Sequence, residues 1–274
     1  MAGDAAKRRT QAGQALRRHA LRGLALLLLS TASLQLYFMA RIALMAVVAP
    51  QSTSFQRSEA WRLLVEKHQI AWRQDWVDYD AIADNLMRAV IASEDAGFVD
   101  HNGVEWDALE QAWDKNQRAQ ARAEKRNAQL DKKQAAKGAK TSISKPKPKL
   151  EPKVVGGSTI SQQLAKNLFL SGERTAIRKA QEFVLTLTLE ALLSKQRILE
   201  IYLNNVEWGE GVFGAQAAAR HYFHVDAARL DAVSAARLAV MLPAPKRFEK
   251  APGSPYLAQR AATIVSRMSA VDIP

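Results

Sequence analysis

Apolar residues are spread along this chain in three different ways. From Gly23 to Ala40, eighteen consecutive residues carry no charge, and beyond Arg41 the apolar character resumes as far as Ala49. At about 1.5 Å per residue, eighteen helical residues span roughly 27 Å, close to the ~30 Å core of a bilayer. The segment 23–49 therefore predicts a transmembrane helix, with Tyr37 and Phe38 suited to an interfacial belt and Arg41 able to snorkel. Val47 and Ala49 could precede a leader-peptide cut, but Pro50 follows at once and the apolar stretch is long for a leader.

The second pattern is amphipathic. Ile82, Leu86, Ala89 and Val90 share one face of a helix expected over Tyr79 to Ser93, followed by a loop from Glu94 to Gly103 and another helix from about Trp106. Leu185, Leu189, Leu192 and Leu193 recur at three- and four-residue spacing, which predicts one long helix from Thr175 to about Asn204. Gly209, Gly211 and Gly214 make a turn into an alanine-rich helix, Ala215 to Phe223, and Pro243 ends a buried helix through Leu242. Strand alternation is scarce, so the fold is expected to be mainly α-helical. Phe55, Trp61, Trp72 and Trp76 lie among charges and read as a juxtamembrane segment. They are also the candidates for an apolar face turned to the bilayer.

The third pattern is a loss of apolar residues. Residues 115–153 are rich in Lys, Arg, Gln and Ala and then alternate Lys and Pro, which reads as a basic insert, disordered or partly helical. Its Ser142-Ile143-Ser144-Lys145 matches the Ser-x-x-Lys of penicillin-binding transpeptidases, without the partner motifs that would give the match meaning.

Charge then changes what the composition means. The formal net charge of +12 looks like a nucleic-acid signal, but residues 1–22 account for +5 and the insert for +10, leaving −3 for the body. Six basic residues before the apolar span place the amino terminus in the cytoplasm and the body across the membrane. With no cysteine, disulfides, thiolate metal sites and thiol nucleophiles are excluded.

The segment Gly156 to Asn167 carries the most chemistry. Two glycines allow close backbone approach, Thr159 and Gln162 fit a capping box, and Gln162, Gln163 and Lys166 can share one helix face. The positive end of that helix would face whatever the glycines approach. On spacing alone, an ordinary capped helix explains these residues equally well.

Five ordered blocks decide between the two readings: Glu94-Asp95-x-x-Phe98-x-x-His101-x-Gly103; Gly156-Gly157-Ser158-Thr159-Ile160-x-Gln162-Gln163-x-x-Lys166-Asn167; Arg178-Lys179-x-x-Glu182; Tyr202-Leu203-Asn204 with Gly209-x-Gly211-x-x-Gly214 and Tyr222-Phe223; and Leu242-Pro243-x-Pro245. Over roughly Arg57 to Leu257 the chain resembles the family 51 glycosyltransferases, lysozyme-like enzymes that polymerise lipid II into peptidoglycan strands. Ending near Pro274 without a transpeptidase domain, it looks like the monofunctional, membrane-anchored kind.

The resemblance implies a lysozyme-like domain over 50–274, interrupted by the insert, after a cytoplasmic tail (1–22) and the anchor. It implies Glu94 as general base and Glu182 as the second glutamate. Asp95, Ser158, Gln162, Gln163, Lys166, Arg174, Arg178 and Lys179 would bind substrate, with Lys166 and Arg174 on the diphosphate. It requires no cofactor, while leaving room for a divalent cation (Mg or Mn). Its partners are lipid II, the growing glycan strand and membrane lipid, with room for other cell-wall synthesis or division proteins and none for nucleic acid. The location implied is the bacterial inner membrane, single-pass, with the catalytic domain periplasmic. His101 either fixes its loop or takes part in the chemistry, Tyr202 and Phe223 belong to the core, and Asn204 steadies a turn. Glu105 stands where the family usually has Asp, and the insert is more basic than is usual. Two other functions fit part of the pattern: a glycosidase that cleaves peptidoglycan with two carboxylates, and a silent anchored scaffold.

Overall fold

A computed structural model describes residues 2–138, 157–170, 172–173 and 175–274. The chain is mainly helical. Helix α1 (Ala2–Leu44) includes, between Leu16 and Leu44, an 18-residue window apolar enough to cross a membrane. It begins well before the expected segment and ends at Leu44 rather than near Ala49. The last turns of α1 are built into the folded body: Ile42 is fully buried, Phe38 meets Phe169 edge-on at 5.3 Å, and Arg197 Nε donates to the Met45 carbonyl at 2.7 Å.

The segment expected to be juxtamembrane instead contains a helix, α2 (Ser54–Lys67), started by a capping box between Thr53 and Gln56. Its aromatic neighbours divide. Phe55 and Trp72 pack on Phe213, whereas Trp61 is exposed.

A short strand β1 (Arg73–Gln74) and a single 3-10 turn (Tyr79–Ala81) precede α3 (Asp84–Glu94). The helix expected from Tyr79 thus begins at Asp84, because Ile82 and Ala83 are extended. Glu94 is its final residue. After α4 (Trp106–Gly138) come α5 (Ile160–Phe169) and α6 (Ala176–Leu192). The basic insert is therefore helical as far as Gly138; the rest of it lies outside the described residues.

The single helix expected over Thr175 to Asn204 is two. Leu193 and Ser194 are extended, and the Ser194 hydroxyl accepts the Arg197 N–H to start α7 (Lys195–Asn205). A serine at an N-cap competes well with helix continuation. Strands β2 (Glu207–Gly209) and β3 (Val212–Phe213) follow, then α8 (Ala215–Phe223), α9 (Ala232–Met241), α10 (Pro245–Phe248) and α11 (Pro255–Met268).

The three strands form one small sheet in the order β1-β3-β2. β1 runs parallel to β3 with Arg73 opposite Val212, and β2 antiparallel with Glu207 opposite Phe213. The tight approach depends on Gly211, at φ +74°, where a Cβ would lie 1.9 Å from the Ala71 carbonyl oxygen. The core is centred on α3, which packs against α9 and α11, with α5 lying between α2, α6 and α7. Trp208 is fully buried and donates its indole N–H to the Leu238 carbonyl, tying β2 to α9. Asn204 joins α7 to the segment after β1 by accepting the Val77 N–H and donating to the Val77 carbonyl.

Candidate active site

The end of α3 brings Glu94 to the amino-terminal half of α5. Gln163 Nε2 donates to Glu94 Oε2 at 2.9 Å, and Tyr202 donates its hydroxyl to Gln163 Oε1 at 3.0 Å. A tyrosine expected in the core is in the core, 1% exposed, but its polar end fixes the amide that holds the glutamate. Burial pushes the Glu94 pKa up; Asp95 adds to this, while the Gln163 and Ser93 hydrogen bonds and Lys166 oppose it. A half-buried carboxylate with a raised proton affinity suits a general base better than an exposed one.

Asp95 is turned inward. Its side chain is fully buried, with Oδ2 accepting the Ile160 N–H at 2.9 Å and Oδ1 paired with His101 Nε2 at 2.8 Å. The expectation that the positive end of this helix faces a ligand is thereby corrected: Asp95 itself occupies that N-terminus, where a carboxylate is favourable. Thr159 caps the helix as its spacing implied, accepting from Gln162 N–H, and its own hydroxyl donates to the Gly103 carbonyl at 2.6 Å.

His101 fixes the loop. Its Nδ1 accepts the Gly103 N–H, which assigns the proton of the neutral ring to Nε2 facing Asp95. Lys195 donates to the His101 carbonyl at 2.6 Å and lies over the Phe98 ring. Asp95, His101 and Glu105 bring potential metal-ligating atoms within 4.8 Å of one another. In the structure Asp95 and His101 are paired with each other, and through the Ile160 N–H Asp95 acts as a clasp between α3 and α5.

Beside Glu94 opens a cleft of about 540 Å³. One wall comes from α5 and α6 and carries Ser158, Gln162, Gln163, Lys166, Arg178, Lys179 and Glu182, so seven of the sequence-derived site residues meet on it. Arg174 lies outside the described residues. Glu182 is 3% exposed and pairs with Arg178 Nη1 at 2.8 Å and with Lys179 Nζ. This is the intrahelical pair that spacing allowed, and it also sits in the cleft. Lys166 has a lowered pKa: the surrounding protein desolvates it, Glu182 pulls the other way, and Arg178 and Lys179 add to the depression. On this wall three cations against one carboxylate leave a positive excess suited to an anion carrying more than one charge.

The other wall, from α2, β2 and the turn between α9 and α10, holds Phe55, Ser58, Val206, Glu207, Leu242 and Pro245. Sequence reasoning missed Glu207. The available signal was a glutamate set between Val206 and Trp208 in a mostly apolar stretch.

A mainly helical body that follows one apolar helix of membrane-spanning length, with a glutamate beside a cationic cleft, has the makings of an enzyme site, and comparison with known proteins gives its class. Residues 63–126 and 145–269 match the transglycosylase family, and the chain belongs to it. It is similar to the biosynthetic peptidoglycan transglycosylase of Paraburkholderia xenovorans (strain LB400), with 48% identity over 241 residues that cover 88% of this chain and 87% of that one. The protein of the same name from Burkholderia thailandensis is 50% identical over 240 residues, covering 88% and 82%. The fold is accordingly lysozyme-like and the activity that of a peptidoglycan glycosyltransferase. Residues 127–144, at the end of α4 and beyond, fall outside the family match.

Proposed function

We propose that this enzyme polymerises lipid II into β-1,4 glycan strands with release of undecaprenyl diphosphate. The observation that carries the reading is the pairing of Glu94, held by Gln163 and raised in pKa by burial, with the cationic wall of Lys166, Arg178 and Lys179 in the adjoining cleft. Glu94 takes the proton from the 4-hydroxyl of one lipid II as that oxygen attacks the anomeric carbon of the strand. The bond to the diphosphate oxygen breaks on the opposite face, so configuration inverts. Lys166 and Arg178, with Arg174 by family resemblance, receive the charge that develops on the leaving diphosphate. Ser158 and Gln162 line the same wall and orient the substrate. Asp95 positions α5 and Glu182 positions Arg178 and Lys179. Charge neutralisation falls to side chains, and the reading requires no metal.

In this reading α1 spans the bacterial inner membrane once, the amino terminus is cytoplasmic, and the cleft is periplasmic at the height of the lipid-borne substrate. The full-length protein with purified lipid II is expected to give polymer, and to leave finished cell wall intact. Release of soluble fragments from cell wall, with no polymer from lipid II, would favour a glycosidase instead.

A further inference from the structure

Among the described residues, two buried side-chain polar atoms lack a hydrogen-bond partner: Arg178 Nε and Glu207 Oε1. Both residues line the same cleft. Buried polar atoms are nearly always paired, so an orphan at a cleft wall points to a ligand or bound water that completes it. The anion proposed above accounts for Arg178. It does not account for an orphan acceptor, because a carboxylate repels phosphate.

Glu207 is held firmly where it stands. It opens β2 opposite Phe213, next to the buried Trp208, and its side chain is only 8% exposed. The nearest cation, Lys246, lies 3.4 Å from Oε1 but only 2.6 Å from Glu59, which also binds Arg62. Lys246 on α10 is thus mainly committed to Glu59 on α2, and its contact with Glu207 is the longer and weaker one, an ion pair without hydrogen-bond geometry. Burial pushes the Glu207 carboxyl up to about 7; Lys246 counteracts this, while Glu59 and Glu249 add to it. Around it, Phe55, Val206, Leu242 and Pro245 give the wall an apolar surface. An apolar surface with one recessed acceptor is chemistry that fits the C–H face and polar substituents of a sugar, and not a diphosphate.

We propose that Glu207 is a substrate-binding residue, its buried carboxylate accepting a hydrogen bond from an O–H or N–H of the sugar-peptide portion of the substrate. The proposal rests on the reading of this cleft as the lipid II site. Bonds to a charged acceptor discriminate strongly, and loss of one is expected to weaken binding by about tenfold or more.

The test measures KM and kcat for lipid II in the full-length wild type, Glu207→Ala, Glu207→Gln and Lys246→Met between pH 6 and 8.5. Glu207→Ala should raise KM about tenfold with kcat within about twofold. Wild-type KM should rise as the pH falls through about 7, where protonation removes the charge and leaves only a neutral, weaker acceptor, and Glu207→Gln, which keeps a neutral acceptor oxygen but cannot titrate, should give an intermediate KM without that pH dependence. Lys246→Met removes a cation that holds the Glu207 pKa down and should move the low-pH rise in KM to higher pH. An unchanged KM in Glu207→Ala overturns the proposal, as does a Lys246→Met variant that reproduces the Glu207→Ala effect at pH 8.5, where Glu207 is ionised, which would make the role structural. If the wild type forms no polymer, the functional reading fails first. Calorimetric binding of a lipid-free disaccharide-peptide then decides for Glu207: equal affinity in wild type and Glu207→Ala overturns its role, and weaker binding in the variant supports it.

Discussion

Helices α4 and α5 are held in opposite ways. α5 has ten residues and buries six, and its start is secured by Thr159, Gln162 and Asp95 together. α4 has 33 residues, yet among its described side chains only Ala112 is buried, while Trp106 and Trp113 are 63% and 66% exposed. An isolated ten-residue helix is unstable in water, so α5 exists through its tertiary contacts. α4 is long and rich in Ala, Gln, Lys and Arg, and can rely on local propensity. The difference teaches where precision resides. The short, packed helix presents Gln163 and Lys166 to the cleft, and the long one extends away from the core into a region that the family match partly omits.

The largest effect should come from the point where α5 grips Glu94. Glu94→Gln is expected to lower kcat by about 10²- to 10⁴-fold in a lipid II polymerisation assay, while lipid II still binds. The wild-type rate should fall with falling pH on an acid limb lying above the ordinary glutamate range, since burial raises this pKa and the base must be ionised to work. The same shift carries a stability consequence. Above its raised pKa the ionised Glu94 is held at a cost, so Glu94→Gln should melt higher than wild type at pH 7. That gain should vanish below about pH 4, where both folded and unfolded carboxyls are protonated. A fully active variant would remove Glu94 from the chemistry.

A smaller effect tests the clasp itself. Asp95→Ala leaves the Ile160 N–H and the His101 ring without their acceptor, and should cost about 2–4 kcal/mol, lowering the melting temperature by roughly 5–15 °C. Calorimetry that finds the variant within a degree of wild type would show that α5 does not depend on this carboxylate. The least effect is expected from α4. Deleting residues 118–150 should leave the melting temperature within about 2 °C and kcat unchanged, because none of its described side chains is buried. A loss as large as that of Asp95→Ala would erase the contrast between the two helices.

Much of this was legible in the sequence because it is local. The Thr159 capping box, the apolar span, and the cluster of Lys166, Arg178, Lys179 and Glu182 depend on spacings of a few residues. What escaped is either weaker locally or non-local. The break at Ser194 has no Gly or Pro to mark it, only a cap that competes with a strong apolar period. Helix α2 was concealed by the aromatic residues and charges around it, although Thr53 and Gln56 formed a readable cap. Strands of two or three residues carry no alternation to detect. Asp95 at the start of α5 and Tyr202 on Gln163 join residues 65 and 39 positions apart, and the role of Glu207 appears only once α2, β2 and α10 enclose it.

The junction between α1 and α6 has a consequence for how substrate is found. Gln35 and Gln181 exchange hydrogen bonds at 2.8 and 3.2 Å, nine residues before α1 ends, which is about 13 Å back along its axis. The anchor is thus a fixed strut and not a leash, and it is bolted to the helix that carries Glu182. With α1 in a bilayer, the cleft is set at one height and one tilt above the lipid. The lipid-borne substrate proposed above would then search in two dimensions and arrive already at the right level, with only its heading along the surface left to chance.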